Sequence, residues 1–217
     1  QKRQAEGDLE ARINSFELAY RMQTDAREAF DIAGEKPETV AKYGANAQGR
    51  QMLIARRLLE RGVRFVQVRQ GGWDLHGGIA QRAANNARQL DPAIGAIMDD
   101  LKERGLFEDT LIYITSEFGR SPTEDGGGGR SHNARGLSTV LMGGGIKGGI
   151  AYGSTDEIGG AAVENKVHVK DIHATVMDLL GFDHEQLTYR TAGRDFRLTQ
   201  ATRSLPQGGM PVKGIIA

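Results

Sequence analysis

The chain has 217 residues, no cysteine, and 28 basic against 28 acidic side chains. Balanced charge gives no chain-wide field that would draw nucleic acid or an anionic membrane, and the missing thiols exclude disulfides and cysteine-ligated zinc. No apolar run approaches the roughly 20 residues of a membrane helix, so the chain reads as one globular domain, or a large piece of one, able to bury a core.

Residues 1–33 are charged and follow a helical period, with Leu9, Ile13, Phe16, Leu18, Tyr20 and Met22 on an imperfect apolar face. The chain opens at Gln1 without an initiator Met and with this pattern under way, which reads as a start inside a longer protein or a processed end. Gly34 to Pro37 break the pattern, and Lys42 to Asn46 form a turn into a second helix over 49–61, closed by Gly62 in the manner of a C-terminal cap. The expected organisation is a helical segment, 1–62, packing on a sheet carried by 63–200, followed by an irregular tail, 201–217, that is loose or docks.

Residues 63–68 are rich in β-branched and aromatic side chains and predict a buried strand of the parallel-sheet kind. A loop over 70–78 leads to a helix over 79–104, with Asp91-Pro92 marking a kink or a new first turn, and Gly105 stops it. Residues 110–115 predict the next strand, so the order strand, helix, strand implies a right-handed crossover and a parallel pair. A third strand is expected over 138–142, and a short helix over 172–181 opened by Asp171 as an acidic cap. The predicted fold class is therefore α/β, a mostly parallel sheet flanked by helices.

Three separated pieces offer metal-ligand chemistry where predicted strands end or loops begin: Asp74 with His76, Glu117, and His132. A carboxylate and an imidazole at i and i+2 share a face of extended chain and could grip one cation, with Glu117 serving a second. Arg120 and Arg130 could clamp the remaining oxygens of a bound anion through forked hydrogen bonds. Each residue has a plainer reading: Asp74 as a cap for the turn after Trp73, Glu117 as an acceptor for backbone amides of the next turn. His168, His173 and His184 have no carboxylate partner at metal spacing and read as surface, helix-start and loop residues. The glycine runs 126–129 and 143–149 could cradle an oxyanion, but neither ends in Gly-Lys-Ser or Gly-Lys-Thr, and turn formation is the simpler account, with Lys147 a solvated charge.

The succession Gly72-Trp73-Asp74-Leu75-His76, Ser116-Glu117-Phe118-Gly119-Arg120-Ser121-Pro122, Gly129-Arg130-Ser131-His132-Asn133, Gly143-Gly144-Gly145-Ile146-Lys147-Gly148-Gly149 and Ala192-Gly193-Arg194-Asp195-Phe196 resembles the largely bacterial domain-of-unknown-function family 1501. That family is placed with the alkaline phosphatase and sulfatase superfamily. The resemblance implies an alkaline-phosphatase-like domain of which this chain is the C-terminal half, and a periplasmic or exported location. It further implies a metal-dependent hydrolase of sulfate or phosphate esters, small or glycan-borne, with zinc as the expected cation and manganese or calcium as alternatives. Nothing before Val63 resembles the strand that carries the family's nucleophile region, and Ser131 stands where relatives have Asp. Neither Thr115 nor Ser116 has an adjacent base that would make it a nucleophile. The competing expectation is a non-catalytic binding or structural domain that uses the same pocket to hold a glycan or protein partner. Oligomeric state is not legible.

Overall fold

The structure, a computed structural model, describes residues 9, 10, 12–17, 19, 20, 27–203 and 205–217. The chain divides into two compact units: Gln1–Leu75 with Ala80–Glu103, and His76–Ile79 with Arg104–Ala217.

The first unit is helical. Residues 12–17 and 27–30 are helical, and the expected apolar face there is exposed at Leu9, Ile13, Phe16 and Tyr20, while Leu18 and Met22 lie outside the described residues. Helix α1 (Pro37–Tyr43) occupies a stretch expected to be a break and a turn: Pro37 sits in its first turn, where a missing N–H costs nothing. Helix α2 (Ala47–Glu60) begins two residues before the predicted start because the Asn46 side chain accepts the Gly49 N–H at 3.0 Å. It ends as expected at Gly62, whose φ of 77° lets Gly62 and Val63 donate back to Leu59 and Leu58. Helix α3 (Ile79–Glu103) runs unbroken with Pro92 inside it. Tyr43, Leu53 and Leu101 are fully buried and centre the core.

A charged cluster lies against that core. The Tyr43 hydroxyl donates to Asp100 at 2.8 Å, and Arg56, its side chain only 4% exposed, donates to Glu35 and Glu60 at 2.8 Å each. Arg57 also donates to Glu35. Burial pushes the Glu35 carboxyl up, but the two guanidiniums outweigh burial and hold it below its ordinary value.

The second unit overturns the predicted sheet. Strands β1 (Leu111–Ile114), β2 (Gly119–Glu124), β3 (Arg130–Asn133), β4 (Val140–Gly143), β5 (Ser154–Thr155), β6 (Ala162–Glu164), β7 (Tyr189–Thr191) and β8 (Arg194–Phe196) pair as β1·β4, β2·β3, β5·β6 and β7·β8. Every one of these ladders is antiparallel and two strands wide. The expectation of a mostly parallel, alkaline-phosphatase-like sheet is therefore wrong for this chain. Residues 63–68, the expected parallel partner of β1, form no ladder, and Phe65 is 76% exposed. Strand propensity measures fit to a partnered surface, and without a partner the β-branched run stays irregular. The neighbour of β1 is instead the later strand β4, returning with Leu111 opposite Gly143 and Ile114 opposite Val140.

Helix α4 (Val169–Leu179) starts before the expected Asp171 cap. His168 is the N-cap, accepting from Lys170, while Asp171 reaches back to the His168 N–H at 2.8 Å and completes a capping box. The segment after residue 205 docks on this unit through its backbone. Met210 and Val212 donate to the side chains of Asp171 and Thr175, Lys147 donates to Ile215, and Ala217 donates to Gly145, around an Ile146–Ile216 bridge.

Candidate metal centre

The β2–β3 hairpin carries the site. Its first residue, Gly119, packs where a Cβ would fall on the Gly136 carbonyl oxygen, which explains the glycine inside Ser-Glu-Phe-Gly-Arg. Arg120 stands opposite His132 in the ladder, so both lie on one face of the hairpin. The Phe118 ring lies 4.2 Å from the His132 ring, and the Arg120 guanidinium sits 5.3 Å from the centre of Phe118.

The glycine run linking β2 to β3 brings His76 to this face. Gly126, Gly127 and Gly128 have φ of 54°, 58° and 75°, and the loop they form accepts the Gly78 and Ile79 N–H groups at 2.9 and 3.1 Å. Gly77 and Gly128 form an antiparallel bridge, and a Cβ on Gly129 would overlap the His76 carbonyl. The run is thus a close-approach surface for residues 76–79.

His76 and His132 meet through their Nε2 atoms at 3.2 Å, with ring centroids 5.0 Å apart. The other nitrogen of His76, Nδ1, lies 3.1 Å from Asp125 Oδ2. The His76 imidazole and the Ser131 hydroxyl, both bonded to that carboxylate, hold Asp125 below its ordinary value. An ionised carboxylate only accepts, so His76 Nδ1 carries the proton that faces it, and an imidazole with its one proton there presents its lone pair at Nε2. Two imidazole nitrogens that close need either a proton or a cation between them. Nitrogens bound at about 2.0–2.1 Å to a tetrahedral cation stand about 3.3 Å apart, close to the separation seen here. The pair fits a shared ion.

Of the predicted ligands, the structure brings His76 and His132 together. Asp74, exposed, is the last residue but one of the first unit, and only buried Leu75 separates it from His76 along the chain. An i, i+2 tether of about 7 Å lets its carboxylate reach an ion held by His76. Glu117 instead takes an ion pair from Arg120 at 3.4 Å. Arg130 donates to the Gly129 carbonyl at 2.8 Å. His168 is a helix cap, His173 bonds the Val169 carbonyl, and His184 bonds Thr199. Ser131, which the sequence marks only as standing where relatives have Asp, bonds Asp125, and the sequence gives no sign that Asp125 or Phe118 belongs to a site. An Asp heading a glycine run reads as a turn residue, and nothing in a separation of 49 residues signals that Asp125 belongs to His76.

Two facing imidazoles backed by a carboxylate define this unit as a candidate metal-binding domain. The chain belongs to the family described as "Protein of unknown function (DUF1501)", whose model matches residues 1–207. No curated protein and no solved structure matches it. No helix among the described residues is long and apolar enough to cross a membrane.

Proposed function

We propose that the second unit holds a divalent cation on His76 and His132, with Asp74 as a tethered third ligand, and that the centre serves hydrolysis of a sulfate or phosphate ester. The observation that carries this reading is the 3.2 Å approach of two Nε2 atoms while Asp125 occupies the outer nitrogen of one ring. Two imidazoles and one carboxylate suit zinc, with manganese next, and suit calcium poorly, since calcium takes oxygen ligands. Three protein ligands leave a position open, the pattern of catalytic sites. A cation bound there supplies Lewis-acid polarisation of an ester's oxygens.

The chain's own residues would orient the substrate. Arg120, stacked on Phe118 and opposite His132, is placed to donate to an anionic oxygen, and Glu117 holds its guanidinium. Kinship with the alkaline phosphatase and sulfatase superfamily is part of this proposal and rests on the order of the sequence motifs.

Calorimetric titration of the purified chain with zinc or manganese tests the metal centre. Binding that disappears in His76→Ala and in His132→Ala is expected, and equal binding in both variants would overturn it. Turnover of aryl sulfates and aryl phosphates tests the hydrolase, whose attacking group, with neither Thr115 nor Ser116 activated, would be a water on the cation: metal-dependent activity lost in Asp74→Ala is expected. A second reading, a non-catalytic domain holding a glycan or protein partner, is favoured by the exposure of His76 and His132. Tight metal binding with no turnover of either ester would select it.

A further inference from the structure

We infer that Asp125, steadied by Ser131, is a positioning residue that fixes His76 as its Nδ1–H tautomer and so aims Nε2 at His132. The inference rests on the proposed metal centre only for its effect on metal affinity. Asp125 and His76 are both near half exposed, at 43% and 47%. A contact this exposed to solvent adds little to stability, so stability is not what the arrangement achieves. What it does determine is orientation. A neutral imidazole presents one lone pair, and the hydrogen bond made by one nitrogen decides whether the other donates or accepts.

The loop gives Asp125 a fixed place from which to act. Asp125 N–H donates to the Gly129 carbonyl at 3.1 Å, and Glu124 accepts the Gly128 N–H at 2.8 Å, closing the turn at both ends. The same turn receives the Gly78 and Ile79 N–H groups, so the carboxylate and the His76 backbone are held by one piece of chain. The Ser131 hydroxyl also bonds Asp125. Ser131 thus stands immediately before His132 and links the carboxylate behind one imidazole to the strand bearing the other.

Nitrogen-15 NMR of the histidine side chains in metal-free protein reads the tautomer directly, at about pH 8.5, above the ordinary imidazole range. His76 is expected as Nδ1–H in the unmodified chain, to keep that form in Asp125→Asn, whose amide oxygen still accepts, and to move toward Nε2–H in Asp125→Ala. Ser131→Ala should move it partway, and serves as the readout if Asp125→Ala fails to fold. An Nε2–H tautomer in the unmodified chain, or a tautomer indifferent to both alanine variants, would overturn the inference. Zinc titration adds a second readout. Loss of a carboxylate behind a metal-binding imidazole weakens affinity about 10–100-fold, which is expected for Asp125→Ala, with Asp125→Asn recovering part of it. If the unmodified chain binds no zinc, the proposed centre fails while the tautomer result still decides the role of Asp125; if it binds zinc and Asp125→Ala binds equally well, the positioning role alone fails.

Discussion

His132 is held on two sides, by the Phe118 ring and by His76, and the second contact depends on residues that carry no side chain. Gly129 has no room for a Cβ against the His76 carbonyl, whereas Gly127 has open space but a left-handed φ of 58°. The two positions should therefore fail differently. Gly129→Ala must push residues 76–77 away and is expected to weaken zinc binding by at least tenfold, while Gly127→Asn, a residue that tolerates that backbone, should leave it nearly unchanged. Calorimetry on the two variants checks this, and equal loss in both would show that the loop is not a spacer for His76. His76 and His132 stand out in the sequence because one follows a carboxylate at i+2 spacing and the other closes the Gly-Arg-Ser-His motif. Glu117 groups with them because all three follow predicted strand ends, yet Glu117 bonds its own neighbour, Arg120, on the same turn.

Among elements, helices were the more legible because their signals are local. The glycine stop at 62 and the long apolar period of α3 need only a few neighbouring residues to act. Helix α1 is hard to see in the sequence because Pro37 resembles a breaker, whereas it occupies a first turn. Sheet pairing was the failure, since a strand's partner is not written in the strand: β1 takes β4, and 63–68 takes none. The network joining Glu35 to α2 yields a pH prediction. Glu35 lies below its ordinary value when folded, so its contribution is complete above the unfolded carboxyl pKa of about 4.3 and disappears as pH falls through the folded value. Glu35→Gln should be less stable at neutral pH by about 1–3 kcal/mol, the usual range for hydrogen bonds to a charged group, and should lose less stability between pH 5 and 3 than the parent. Urea unfolding across that range measures both; parallel acid limbs would rule out Glu35 as the source.

On the scale of the whole chain, the two units predict where a bound ion is felt. Zinc held by His76 and His132 should slow hydrogen exchange at amides of 76–79 and 125–133 and leave those of α2 as they were. Mass spectrometry of exchanged peptides checks this, and protection spread evenly over both units would contradict a centre on the β2–β3 hairpin. The backbone stitches made by residues 210–217 bear on something else, the order of events during synthesis. Because Gly145, Lys147, Asp171 and Thr175 take their partners from Ala217, Ile215, Met210 and Val212, these earlier residues leave the ribosome long before the groups that satisfy them. Local hairpins can close as they emerge, but these pairings span up to 72 residues, from Gly145 to Ala217, and must wait. The second unit thus reaches its final form only once residues 210–217 have emerged, with the groups on 145–147 and 171–175 meanwhile satisfied by water.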